Sequence, residues 1–385
     1  GSSNLTGRFS FQTGDVIGGD ADRFLNIDDL RPFNTTESEG TLGGPMAFLG
    51  DQFFFHVSGR YYDDAGFLYG QRLVAYANNS RDNLILGDRA YVSMNPDRTY
   101  NIQGKLSFND PSLKLSFSYL RKDRKHQEYS NAYRLAPDWR PFYFDKSSTY
   151  TLNSNYFFSP TTFASAVVAY TYSQDETRAF EDINDPRYRF RGRDLSYLSN
   201  RNNPVGDSLA AILKTALGLT ATELNRFSIG PSLDRSERTG RKYSGKIDLT
   251  SQLGTLHLVK AGVEVNYFEV FREGISVVQR GTRPDNDFNV NNEVVEIPEA
   301  NTRSRNIFRG KPTQLGAYVQ DKMEFSEFVL NVGVRLDYYD PKTTVPVDFT
   351  KLDGTAFVAT SKKWKVSPRV SFAHSVTDRS KLFFS

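Results

Sequence analysis

The sequence predicts an all-β protein, a transmembrane antiparallel β-barrel of about thirteen strands, on three observations. Side chains alternate between apolar and polar with a period of two along most of the 385 residues. The connections between these stretches are alternately short and long. Rings make up 14% of a chain that is only 38% hydrophobic, and they gather near strand ends. Such aromatic richness argues against disorder. No run of about 18 apolar residues is present to make a membrane helix.

The strands can be read in order. Residues 5–11 already alternate. In NIQGKLSFN, Ile102, Gly104, Leu106 and Phe108 share one face, and Asn101, Gln103, Lys105 and Ser107 share the other. Leu113, Leu115, Phe117 and Tyr119 oppose Lys114, Ser116 and Ser118. Tyr243, Gly245, Ile247 and Leu249 oppose Lys242, Ser244, Lys246 and Asp248. Leu330, Val332, Val334, Leu336 and Tyr338 oppose Asn331, Gly333, Arg335 and Asp337. Each segment is a strand with one wet and one apolar face. The closing SKLFFS is strand-like too, so the chain is expected to be a fragment of a longer barrel.

The connections decide between a sandwich and a barrel. Short ones fall near 48–51, 109–111, 159–161, 252–254, 325–327 and 375–378. Long ones cover roughly 13–34, 63–96, 124–146, 175–238, 274–308 and 341–362. Hairpins with tight turns at one end and large loops at the other make a transmembrane barrel with long extracellular loops. A sandwich seldom puts every long loop at one end. Strands of about 10–15 residues cross the hydrocarbon when tilted. Rings at Phe53, Phe55, Tyr61, Tyr62, Tyr156, Phe157, Phe158, Tyr170, Tyr172, Tyr338 and Tyr339 suit an aromatic girdle at each membrane interface. One loop differs: within 203–227, Leu209, Ile212, Leu213, Ala216 and Leu217 form a helical stripe stopped by Gly218. A short helical insertion is expected there, covering the barrel mouth or a partner.

Composition narrows the function. The 48 basic and 45 acidic residues leave a net charge of +3, and no basic block has nucleic-acid-reading spacing, so no nucleic-acid partner is expected. Cys is absent, which excludes thiolate chemistry. The four histidines, His56, His126, His257 and His374, lie on separate segments, and no catalytic motif is found, so no enzyme is expected. Arg60, Lys105, Lys114, Lys246, Asp248, Lys260, Glu264, Arg335, Asp337 and Arg369 fall on the lumen face. Glu264 is expected to pair across strands with Lys246 or Lys242.

Two loop sites are candidates. Tyr133, Arg134, Trp139, Arg140, Tyr143, Tyr188, Arg189 and Arg191 combine the ring and guanidinium chemistry of recognition surfaces. Such a set can stack a sugar, clamp an anionic chelate or face phosphate-rich lipopolysaccharide; packing between neighbouring loops is the alternative reading. Asp285, Asp287, Asn289, Asn291, Glu293 and Glu296 follow the offsets of a twelve-residue calcium loop. Val290 stands where that loop wants Gly, so an ordinary solvated loop is the alternative. No cofactor other than this Ca²⁺ is expected.

Several segments carry a resemblance. KPTQLGAYVQDKMEF followed by VLNVGVRLDYYDP, then KVSPRVSFAHSVTDRSKLFFS, and earlier TLGGPMAFLGDQFFFHVSGRYY, resemble the barrel of TonB-dependent outer-membrane receptors. The branch they look closest to bears an N-terminal carboxypeptidase-regulatory-like domain. The resemblance runs from about Thr41 to Ser385. It implies a barrel of about 22 strands filled by a plug domain, in the bacterial outer membrane. It implies a TonB box coupling uptake to the inner-membrane proton gradient. The chain is then expected to be one unit, residues 1–385, a partial barrel with the plug outside it. The partners implied are outer-membrane lipid and lipopolysaccharide, TonB through the missing plug region, and a small-molecule, glycan or peptide ligand. Two alternatives stay open, a passive channel of about fourteen strands and a surface barrel whose loops bind a partner.

Overall fold

Alternation sends every second side chain to the same side, and the backbone ladders join these strands into one antiparallel sheet. A computed structural model describes residues 4–20, 24–76, 84–189, 193–194, 211, 215, 218, 226–281, 293–348, 350, 356–377 and 380–384. The sheet has 14 strands. They are β1 (Thr6–Gly14), β2 (Thr35–Pro45), β3 (Phe53–Asp64), β4 (Asp97–Asn109) and β5 (Leu113–His126). Then come β6 (Phe142–Ser159), β7 (Thr162–Arg178), β8 (Asp234–Leu253), β9 (His257–Ser276) and β10 (Arg305–Gly310). The last are β11 (Thr313–Glu324), β12 (Phe328–Asp340), β13 (Lys363–Thr377) and β14 (Ser380–Phe384). Each pairs with its sequence neighbour, except that β10 and β11 lie end to end along the same edge of β9. Among the described residues β1 and β14 do not pair with each other, so the sheet is an open wall.

Five of the tight turns and the six long connections fall close to where the sequence puts them, and the sixth short connection, after Thr377, lies outside the described residues. Several strands are longer than expected: β8 and β9 have 20 residues each and β6 has 18. The 10–15 residues foreseen are those with an apolar face. The ladder continues past them from Tyr243↔Tyr267 to Asp234↔Ser276, where the β8 half is polar on both faces and charged residues alternate with rings and aliphatic side chains in the β9 half.

The two faces differ sharply. Ile102, Leu152, Val168, Ile247, Val263 and Val366 stand exposed on one face. In a transmembrane barrel that face meets lipid. Lys246, Asp248, Glu264, Arg335 and Arg369 alternate with the apolar residues and face the lumen. Tyrosines mark one limit of the lipid face. Tyr119, Tyr150, Tyr170, Tyr243 and Tyr267 sit opposite one another in register on β5 to β9. Their ring centroids are 4.8, 6.1, 4.9 and 6.0 Å apart in turn. Tyr61 and Tyr100, and Tyr338 and Trp364, continue the belt at 4.9 and 4.5 Å. Near the tight turns Phe53 meets Phe108 at 4.9 Å and Phe328 meets Phe372 at 5.3 Å. Eight to ten residues separate the two rings of a strand, as in Phe53 to Tyr61 and Phe328 to Tyr338. At about 3.3 Å per residue and a tilt of about 40°, that is a band about 20–25 Å tall. No helix among the described residues is long and apolar enough to cross a membrane; the crossing elements are strands.

Candidate functional site

The long loops do not splay apart. Leu73 and Val74 of loop 65–96, Leu135, Ala136 and Trp139 of loop 127–141, Phe180 and Tyr188 of loop 179–233, and Val277 of loop 277–304 form one buried cluster. Four loops thus share a core of their own, above the barrel wall. Backbone bonds zip two of them: the Gln71 amide donates to the Arg134 carbonyl at 2.8 Å, and that of Leu73 to Leu135 at 3.0 Å. Gly70 permits this approach, since a Cβ there would lie 2.7 Å from both the Arg134 carbonyl oxygen and the Met94 sulfur. Arg72 adds a fork, donating from Nε to Asp138 at 2.5 Å and from Nη2 at 3.1 Å, and from Nη1 to Asp88 at 2.8 Å.

Arg140 is the central polar anchor. It is 1% exposed. Its guanidinium donates to the carbonyls of Met94, Glu128 (2.5 Å) and Ser93 (3.4 Å) and to Gln127 Oε1 (3.0 Å). Gln127 Nε2 donates back to the Arg140 carbonyl at 3.2 Å. No carboxylate pairs with it among the described residues, and burial brings the guanidinium down to about 10. In the neighbouring loop Tyr188 accepts from the Phe180 amide at 3.2 Å, and Arg187 lies 3.7 Å over the Phe180 ring.

A second set of functional side chains lines the lumen face of β8 to β12. Lys246 pairs with Asp248 at 2.9 Å. The Tyr318 hydroxyl donates to Asp248 Oδ1 at 2.5 Å, reaching over Gly262 of the intervening strand. A Cβ at Gly262 would collide with the Asp248 carboxylate and lie 2.6 Å from the Tyr318 ring. Arg335 donates from Nε to Asp337 at 2.9 Å and reaches Glu264 at 3.5 Å over Gly316. A Cβ at Gly316 would lie 2.5 Å from Arg335 Nη2. Each glycine is a notch through which a long side chain crosses a whole strand.

This corrects the pairing expected for Glu264. Lys246 does sit opposite it in register, but its ammonium turns along its own strand to Asp248. The longer guanidinium fork of Arg335 takes Glu264 instead, with Asn266 Nδ2 donating to the same carboxylate at 2.8 Å. Tyr318, Gly262 and Gly316 escaped the sequence reading. The available signal was glycine at alternate positions inside strands, a mark of close approach.

The loop residues singled out from sequence are divided by the fold. Trp139, Arg140 and Tyr188 are buried in the cap core, at 3%, 1% and 0% exposure. Tyr133 packs partly buried against that core, and burial pushes its phenol up. Arg134 is half-buried, and its carbonyl belongs to the zip. Tyr143 stacks on His126 at 5.1 Å, at the head of β6. Arg189 ends a 3-10 turn, Pro186–Arg189, and Arg191 lies outside the described residues. Of the calcium-loop set, Asp285, Asp287, Asn289 and Asn291 also lie outside them. Glu293 and Glu296 bound a short strand that pairs with Val278–Gly281. Among the described residues no three His, Asp or Glu side chains are grouped to hold a metal. Within 203–227, where the helical stripe is expected, Ala211 and Thr215 are described and helical, with the Thr215 hydroxyl donating to the Ala211 carbonyl at 2.9 Å, and Gly218, the expected stop, is described in a turn; the stripe residues themselves lie outside the described residues.

Comparison with known proteins places this wall in a family. The family described as TonB dependent receptor-like, beta-barrel, matches residues 120–385. No curated protein matches the chain. Among solved structures, the outer membrane transporter YddB of Escherichia coli is similar at a TM-score of 0.54 and 12% identity, covering 96% of this chain and 41% of that one. The ferripyoverdine receptor of the outer membrane of Pseudomonas aeruginosa gives 0.54 and 10%, covering 99% and 42%. The ferric preacinetobactin receptor BauA of Acinetobacter baumannii gives 0.52 and 10%, covering 98% and 46%. The chain therefore spans less than half the length of these structures. At these identities the likeness is one of fold.

Proposed function

The chain belongs to the TonB-dependent receptor-like β-barrel family, whose place is the bacterial outer membrane, and from that premise we propose that it is wall and recognition loops of an energised uptake receptor. In the whole protein the loops capture a scarce external ligand, a small molecule, glycan or peptide. Energy delivered through TonB, which engages a region outside this chain, then moves the ligand inward. The observation that carries this reading is the shared core of four loops. A passive channel needs only a wall, whereas a pre-formed cap holds recognition groups in fixed positions and lowers the ordering cost of binding. Within the ligand set, Arg134, Tyr143 and the Arg189–Arg191 stretch make contact, while Trp139, Arg140 and Tyr188 hold the loops that present them. A calcium ion at Asp285, Asp287, Asn289, Asn291, Glu293 and Glu296 would be an additional loop clamp, tested by calorimetry with Ca²⁺.

The outward face beyond the tyrosine belt supports a lipid partner. It carries Arg98 with Asp63 at 2.8 Å, Arg121 with Asp123 at 2.6 Å and Arg241 with Glu269 at 3.4 Å, at the height of the phosphorylated headgroups of lipopolysaccharide.

The test replaces residues 127–141 by a Gly-Ser linker in the bacterium that makes the protein. Growth is then measured with ferric chelates, cobalamin, oligosaccharides or peptides as the limiting nutrient. Growth on one class is expected to fail, and uptake of that class in the parent strain to stop when a protonophore collapses the proton gradient. Unchanged growth on every class, together with steady ion conductance of the whole protein in a planar bilayer, would favour the passive channel.

A further inference from the structure

We propose that Arg238 and Arg272 form a binding site for an anionic group, a phosphate or carboxylate, borne on an apolar part of the external ligand. The two residues stand directly opposite each other in the β8–β9 ladder, on the lumen face with Lys246 and Glu264. Both are exposed, and neither side chain makes an ion pair or hydrogen bond among the described residues. Like charges directly opposite each other destabilise an antiparallel pair. Elsewhere on these two strands cations are answered by carboxylates, Arg241 by Glu269 at 3.4 Å and Lys246 by Asp248 at 2.9 Å. A local rule broken within an otherwise consistent ladder marks a functional position.

The lumen face around the two guanidiniums is built of small residues. Ser236 and Gly240 flank Arg238 on β8, and Gly274 follows Arg272 on β9. No atom lies within 4 Å of where a Cβ of Gly274 would stand. Phe308 of β10 is directly opposite Arg272 and 41% exposed. Its ring leans over Gly310, with Cζ 3.1 Å from where a Cβ would be. An apolar platform thus adjoins the pair. Asp175 of β7 lies opposite Arg238 on its other side and makes no ion pair with it. Two guanidiniums and one carboxylate leave a single net positive charge, which suits one anionic group, not several.

The pair stands five residues to the loop side of Tyr243 and Tyr267. At about 3.3 Å per residue and a tilt of about 40°, that is about 12 Å above the belt. The site therefore opens beneath the loop cap, on the side from which an external ligand arrives, whatever fills the barrel at the height of the lipid band. Planar guanidinium forks match the paired oxygens of phosphate and carboxylate. An anion seated between two of them gains charge-assisted bonds and also relieves their mutual repulsion. The inference deepens the uptake reading, and it rests on that reading for the claim that the bound solute is cargo.

The experiment is calorimetric titration of the whole detergent-solubilised protein with phenyl phosphate at low salt, beside urea midpoints of its heat-modifiable form. Saturable binding is expected, weakened about tenfold or more by Arg272→Gln, as loss of a charge-assisted contact implies. Arg238→Gln should act in the same way. Without phenyl phosphate, each variant should unfold at the urea concentration of the natural protein or a higher one, because removing one of two facing charges relieves the ladder. An arginine that merely held the fold would give the opposite shift. Absence of saturable heat at millimolar phenyl phosphate overturns the proposal, as does binding that both variants leave unchanged. Lost binding together with lowered midpoints also overturns it, by assigning the arginines to the fold. Neither readout involves transport. Phenyl phosphate binding that persists where the growth test fails therefore counts against the uptake reading alone.

Discussion

Arg140 shows how much one buried cation can hold. Four oxygens from two loops converge on its guanidinium, and among the described residues no carboxylate pairs with it. Replacing it by Met keeps the apolar stem and strands those acceptors, at about 1–3 kcal/mol for each one left without a partner or water. Arg140→Met is therefore expected to open loops 65–96 and 127–141, seen as faster tryptic cleavage and faster amide exchange there while the wall stays protected. Equal cleavage in both proteins would mean that apolar packing alone closes the cap. Tyr133 adds a pH dependence. Burial raises its pKa in the folded cap, so its contribution is fully present below about 10, the ordinary tyrosine value. That contribution is lost as pH rises through the higher folded value. Amide exchange of the cap should speed up above that range, and Tyr133→Phe should flatten the rise. The sequence picked out Trp139, Arg140 and Tyr188 by chemistry, but their burial is decided by four loops distant in the chain meeting at one core. Alternation and spacing report on neighbours along a strand, not on such a meeting.

At the scale of the element, strands were legible because a wall with lipid on one side and water on the other imposes a period of two on the sequence. Turns were legible because tight turns and long loops alternate. Which charges pair was less legible, because two of the contacts skip a strand. Tyr318 meets Asp248 and Arg335 meets Glu264 only because Gly262 and Gly316 leave room between them. Gly316→Ala is expected to push the Arg335 fork aside and destabilise the wall by about 1–3 kcal/mol, more from the clash than from the partly screened ion pair. Glu264→Gln alone should cost less. In the double variant the ion-pair part should be lost only once, leaving a sum smaller than the two single effects. Urea midpoints of the heat-modifiable form measure all three. Strict additivity would mean that Arg335 does not use the notch.

At the scale of the whole molecule, the tyrosine belt divides the outward surface into two environments along the same strands. Val263 of β9 is 55% exposed, four residues to the tight-turn side of Tyr267 and so within the lipid band. Thr239 of β8 lies on the same outward face, four residues to the loop side of Tyr243, with its hydroxyl 3.4 Å from Glu237. An arginine at 263 would have to hold its charge in hydrocarbon, at about 2–4 kcal/mol near the midplane. The same arginine at 239 would stand in water or among headgroups beside a carboxylate, at about 0–1 kcal/mol. Val263→Arg should therefore lower the folded fraction in lipid vesicles across a urea series, and Thr239→Arg should leave it close to that of the natural protein. The contrast depends on where the belt lies, not on helix or strand propensity, since both sites are on the outward face and in regular strand. Equal losses at the two sites would mean that lipid extends above the tyrosines. Equal tolerance would mean that water reaches the outward face below them, and the wall would then not stand in the membrane in the orientation its tyrosines define.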